Sequence, residues 1–84
     1  MIKIYPAIFH TETNGSYWVE FSDFAGGTQG DNLEEARRNA KEFLSGVLET
    51  YYIEKMPLPD PSNVDTLCTC DGHVEFVEVQ LFKF

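Results

Sequence analysis

Between Leu33 and Tyr51, the apolar residues Leu33, Ala36, Ala40, Phe43, Leu44, Val47 and Tyr51 recur mostly at steps of three and four. That spacing marks a helix with one apolar stripe. A stripe of this length has to be laid on another element, and a chain of 84 residues builds only one core in which to do so. Asp31 supplies an N-cap and Glu34, three residues on, its reciprocal partner in a capping box. The helix should stop near Glu54 or Lys55, because Met56-Pro57-Leu58-Pro59-Asp60-Pro61-Ser62 follows with three prolines that lack backbone donors.

What the helix packs on is legible on either side of it. Ile2 to His10 and Tyr17 to Phe21 are rich in β-branched and aromatic residues, and Thr11 to Ser16 joins them with Asn14-Gly15 at its centre. This reads as a β-hairpin whose connection is longer than the tightest two-residue turn. In the second strand Tyr17, Val19 and Phe21 share one face, Trp18 and Glu20 the other. Pro6 cannot donate to a ladder, which places it at a sheet edge or a bulge. Gly26-Gly27 makes a bend, Thr28-Gln29-Gly30 a short third strand, and His73 to Phe84 a closing strand. There Val77, Val79 and Leu81 point one way, and Phe76, Glu78, Gln80 and Phe82 the other. The fold class is α+β: a small, mostly antiparallel sheet in the order ββ(β)αβ, covered on one face by one long helix.

Fourteen acidic residues against six basic ones leave a net charge of −8. Such a chain repels phosphate backbones and anionic lipid and attracts basic proteins, although excess carboxylates also serve plain solubility. Direct binding to nucleic acid and to membranes is not expected. No apolar run approaches the roughly 20 residues of a membrane helix, and Met1-Ile2-Lys3-Ile4-Tyr5-Pro6 has no basic leader, so a cytoplasmic protein is expected. A domain this small buries only roughly two-thirds of its unfolded surface, which favours self-association as a homodimer or homotetramer.

Several pieces, in order along nearly the whole chain, resemble the HicB-like antitoxins. They are Tyr5-Pro6-Ala7-Ile8, Gly15-Ser16-Tyr17-Trp18-Val19, and Thr28-Gln29-Gly30-Asp31 leading into Leu33-Glu34-Glu35-Ala36 and Asn39-Ala40-Lys41-Glu42. Leu58-Pro59-Asp60-Pro61-Ser62 is similar to the family's proline-serine loop, and Val77-Glu78-Val79-Gln80-Leu81 to its closing strand. The resemblance implies a partial RNase H-like fold that neutralises a HicA-like toxin, a small basic mRNA-cleaving protein. Phe21 to Thr28 departs from the family's Pro-Asp-Leu-Pro-Gly-Cys bend by lacking both prolines and the cysteine. Family members commonly carry a C-terminal DNA-binding segment; the expectation here is a single domain over residues 1–84 without one, and without autorepression.

Residue constellations for other chemistry compete with simpler readings. Cys68, Cys70, Asp71 and His73 include zinc-type donors, but their spacing lacks the paired knuckles of structural zinc sites, so free thiols and no metal are expected. Glu20, Asp23, Asp31 and Glu34 invite comparison with two-metal nucleases. Asp31 and Glu34 already have a role in the helix cap, and a solvated strand face accounts for Glu20. His10 and His73 have no nucleophile motif nearby and read as strand-end residues. Gly26-Gly27-x-x-Gly30 lacks the lysine of a phosphate loop. No enzyme activity and no cofactor are expected.

One helix covers one sheet face, which leaves Trp18 and its neighbours either completing a small core or forming an exposed interface. The residues expected to touch the toxin are Trp18, Glu20, Asp23 and Phe24, an aromatic and acidic cluster on and after the second strand. The alternative function is a homo-oligomeric orphan regulator or scaffold without a toxin.

Overall fold

The computed structural model describes residues 2–63 and 72–81. Four strands and one helix follow one another as β1 (Ile2–Thr11), β2 (Tyr17–Glu20), β3 (Gly27–Gly30), α1 (Leu33–Ile53) and β4 (Gly72–Gln80). They form one sheet in the order β3-β2-β1-β4, with every neighbouring pair antiparallel. The α+β class expected from the sequence is therefore present, with a wholly antiparallel sheet. The closing strand ends at Gln80, short of the expected Phe84. Phe82 to Phe84 lie outside the described residues, as do Cys68, Cys70 and Asp71.

The β1–β2 connection has Gly15 at φ +87°, in the left-handed region, and Asn14 Oδ1 accepts from the Ser16 N–H at 3.0 Å to close the turn. Glu12 N–H donates to Ser16 O at 2.9 Å, one step beyond the Thr11–Tyr17 pair. Backbone polar groups alternate sides along a strand, so even-numbered residues of β1 turn theirs towards β2 and odd-numbered ones towards β4. Pro6 is thus accommodated inside the sheet. It turns towards the β2 side at a point where β2 has already ended opposite Ile8, so its missing donor breaks no ladder bond.

Helix α1 starts one residue later than the sequence suggested. The N-cap is Asn32, whose side chain accepts from Glu35 N–H at 2.8 Å, while Glu35 reaches back to Asp31 N–H at 3.3 Å. Asp31 and Glu34 are both exposed. Asp31-x-x-Glu34 and Asn32-x-x-Glu35 are equivalent as sequence, and the tertiary fit selects the second. Gly30 lies so close to the first turn that an added Cβ would stand 2.4 Å from Ala36 N, which fixes where the helix can begin.

The core lies between α1 and one face of the sheet. Ala36, Ala40, Leu44 and Leu48 form the buried ridge, flanked by half-buried Leu33, Phe43, Val47 and Tyr51. Tyr5, Ala7 and Phe9 of β1, Val19 of β2, and Val77 and Val79 of β4 meet this ridge, joined by Phe21, Phe24 and Leu81. The small Ala36 lets the first turn of α1 sit against Gly30 of β3, and Ala40, Leu44 and Leu48 continue the ridge. Burial of side chains of this size contributes about 1.5–3 kcal/mol each for the larger ones. The helix ends in a Schellman arrangement: Met56 N–H donates to Tyr51 O and Lys55 N–H to Tyr52 O, with Lys55 at φ +57°.

Candidate protein-binding face

The strand alternation that buries Tyr5, Ala7 and Phe9 against α1 turns Ile2, Ile4, Pro6, Ile8 and His10 to the opposite face. Register places Trp18 beside His10 and Glu20 beside Ile8 from β2. From β4 it places Val74 beside Ile8, Phe76 beside Pro6 and Glu78 beside Ile4. Ile8 and Pro6 are buried at the middle of this surface. Around them Trp18 is 39% exposed, Ile4 44%, Ile2 56% and Phe76 64%. Exposed large apolar side chains gathered on one sheet face, rather than scattered singly, mark an interaction surface.

Among the described residues its carboxylates face no lysine or arginine. Glu20 and Glu78 project from this face, whereas Lys3 has the parity of the helix-covered face and Arg37, Arg38 and Lys41 stand on α1. Among the described residues the one basic side chain here is His10, packed at 5.0 Å from the Trp18 ring with its Nε2 3.0 Å from Glu20 Oε1. One imidazole thus touches both the Trp18 indole and the Glu20 carboxylate. Such a face, apolar at its centre and acidic at its charged positions, complements a basic protein surface.

The four residues expected to form the site part company. Trp18 and Glu20 lie together on the open face. Asp23 is half-buried beyond the end of β2, where its carboxylate accepts from the N–H of Ser62 at 3.1 Å and from the Ser62 hydroxyl. Phe24 is inside the core, edge-on to Tyr5 at 4.8 Å and to Tyr51 at 5.5 Å. Sequence reasoning passed over Ile4 and Ile8 as members of the face, and left Phe76, which it had set with Glu78 on the side away from Val77 and Val79, out of the expected toxin contacts. The signal was in β1, which is apolar at both parities, Tyr5, Ala7 and Phe9 on one side and Ile4, Pro6 and Ile8 on the other. A strand covered on one face only would alternate apolar with polar.

On the helix-covered side at the β4 margin, Arg37 Nε and Nη2 donate to the two Glu75 carboxylate oxygens at 2.9 and 2.7 Å. His73 lies 2.7 Å from Glu75 and stacks on Phe9 at 5.5 Å. The hydrogen-bonded Arg37 guanidinium holds the Glu75 carboxyl below its ordinary range, with His73 assisting and burial opposing. Tyr5, whose hydroxyl donates to Pro59 O at 2.7 Å, has its phenol pushed up by burial and then by the Asp23 and Asp60 carboxylates. Glu20, Asp23, Asp31 and Glu34 are not gathered into one centre, and among the described residues no group of three or more His, Cys, Asp or Glu is placed to hold a metal ion. No helix among the described residues is long and apolar enough to cross a membrane.

Comparison with known proteins agrees with this architecture. No curated protein matches the chain. A solved chain from a toxin-antitoxin complex of Streptococcus pneumoniae is 25% identical, with a TM-score of 0.86 over 95% of this chain and 70% of that one. Residues 4–67 match the family described as the HicB-like antitoxin of bacterial toxin-antitoxin systems, a span that takes in β1 from Ile4 onward, β2, β3 and α1. The chain belongs to the HicB-like antitoxin family.

Proposed function

We propose that this protein is an antitoxin that binds and silences a small basic HicA-like mRNA-cleaving toxin in the cytoplasm. The observation that carries this reading is the open sheet face, whose exposed Trp18, Ile4 and Phe76 are accompanied by the carboxylates Glu20 and Glu78 and by no lysine or arginine among the described residues. Membership of the antitoxin family and likeness to a chain from a toxin-antitoxin complex support it. A toxin that grips RNA presents cationic groups to phosphates, and carboxylates on a protein competitor occupy those groups instead. Neutralisation is then by binding alone. Trp18 and Glu20 make contact, while Asp23 and Phe24 act from behind the face by holding the bend after β2.

The test is co-expression with a small basic reading frame neighbouring its gene. Growth arrest by that frame alone, relieved by this chain, together with a complex that survives purification, is the expected result. A toxic frame that this chain neither binds nor relieves would overturn the reading in favour of an orphan oligomeric protein.

A further inference from the structure

The two edges of the sheet are treated differently. At β3 the edge is only four residues long, and Asn39 Nδ2 of α1 donates to the carbonyl of Gln29 at 2.8 Å. At β4 it runs nine residues with no proline and no lysine. Because Pro6 turns its backbone away from β4, its partner Phe76 turns away from β1. By alternation Gly72, Val74, Phe76, Glu78 and Gln80 all direct N–H and C=O groups outward, and no backbone group of another described element meets them. Long, unprotected edges of this kind are templates for strand pairing.

We infer that β4 is a self-association edge on which a second copy of this chain pairs antiparallel about a two-fold axis through Phe76. Full overlap of Gly72–Gln80 with itself requires this register, since Phe76 is the midpoint of the strand. It sets Phe76 against Phe76 of the second copy, Val74 against Glu78, and Glu75 against Val77, so no like charges face each other. Self-opposition at Glu75 would instead bring two carboxylates together. Self-opposition at Val77 would set Phe76 against Glu78 and shorten the overlap. The chosen register gives the 64% exposed Phe76 ring an aromatic neighbour and supplies partners for all the outward backbone groups. It also joins two four-stranded sheets into one and makes their open faces a single continuous surface.

The inference is independent of toxin binding and is tested on the full chain. Sedimentation of the wild type at micromolar concentration should give a dimer or a multiple of it. In a Cys68→Ser, Cys70→Ser background, Phe76→Cys should cross-link between copies under mild oxidation, because directly opposed residues of a hydrogen-bonded pair stand about 5.5 Å apart at Cα. Gln80→Cys, opposite Gly72 of the second copy, should not. Phe76→Lys, at an exposed position, should weaken association at least about tenfold with an unchanged circular dichroism spectrum. A monomeric wild type would overturn the inference. So would cross-linking at Gln80 as ready as at Phe76, or a folded Phe76→Lys variant that associates like the wild type.

Discussion

Asp23 holds Ser62 across 39 positions of sequence, its carboxylate accepting from both the backbone N–H and the side-chain hydroxyl. With the Tyr5 hydroxyl on Pro59 O, this contact ties the proline-rich segment after α1 to the end of β2 and the middle of β1. Hydrogen bonds to a charged group are worth more than neutral ones, and partial exposure reduces that advantage. Asp23→Ala is expected to lower stability by about 1–2 kcal/mol in urea denaturation. It should also make the bonds around Pro61–Asn63 more readily cut by a protease than in the wild type. Equal stability and equal cleavage would show that the contact does not hold the segment.

Tyr5 gives the fold an alkaline limit. Its phenol is raised above the ordinary value of 10.0, first by burial and then by the Asp23 and Asp60 carboxylates. Between the unfolded value and the higher folded one, the unfolded chain has lost the proton that the folded chain still holds, so stability falls as pH rises. Below about pH 10 that contribution is fully present. Tyr5→Phe should be less stable by about 1 kcal/mol at neutral pH, for want of the bond to Pro59. Its stability should also decline less steeply above pH 10. Parallel pH profiles for the two proteins would refute the assignment.

Lys55 stands at φ +57° as the residue after the helix cap, a conformation in which a Cβ is crowded and glycine is not. Lys55→Gly is expected to stabilise the protein by about 0.5–1 kcal/mol, the steric relief being partly offset by the greater freedom of glycine in the unfolded chain. Thermal unfolding checks it, and a lower midpoint would mean that the lysine side chain contributes more than its backbone strain.

The helix could be read from sequence because its apolar residues repeat along one face, yet Leu48, buried as deeply as Leu44, escaped the stripe. It lies four residues beyond Leu44 on the same ridge and completes the row begun by Ala36. The N-cap slipped from Asp31 to Asn32 because two overlapping capping boxes are chemically equivalent until Gly30 is pressed against Ala36. Phe24 looked like a surface aromatic because it follows the strand outside any periodic pattern, and only the return of Tyr5 and Tyr51 to the same place makes it core. Trp18 and Glu20 could be placed together because two-residue alternation carries that information within one strand. Phe76 reaches their face through a register with β1 that no local pattern encodes.

The Arg37–Glu75 pair sets an acid limit in the opposite sense. Glu75 is held below the ordinary carboxylate value of 4.5, chiefly by its hydrogen bonds from Arg37. Its contribution is therefore present above that value and is lost as pH falls through the depressed folded one. Arg37→Gln should leave neutral-pH stability little changed, as an exposed ion pair contributes little, and should move the carboxyl titration of Glu75 upward. A carboxyl-carbon NMR titration of Glu75 reads this directly, and an unmoved titration would assign the depression to His73.

Toxin binding should separate the open face from the bend behind it. Trp18 and Glu20 meet solvent, so Trp18→Ala with Glu20→Lys removes the proposed aromatic anchor and places a cation where the proposed basic toxin would approach, without emptying the core. Loss of such an anchor costs about 1–3 kcal/mol of binding, and the reversed charge adds repulsion, so affinity for the co-purified toxin should fall by at least about tenfold. The association rate should fall further at low salt than at high salt. Phe24→Ala should act differently. It opens a cavity beside Tyr5 and Tyr51, and should weaken binding only as far as it weakens folding. Calorimetric titration of the toxin with both variants, beside their urea curves, distinguishes the two. An unchanged affinity for the Trp18→Ala, Glu20→Lys protein would move the toxin contact off this face, towards α1.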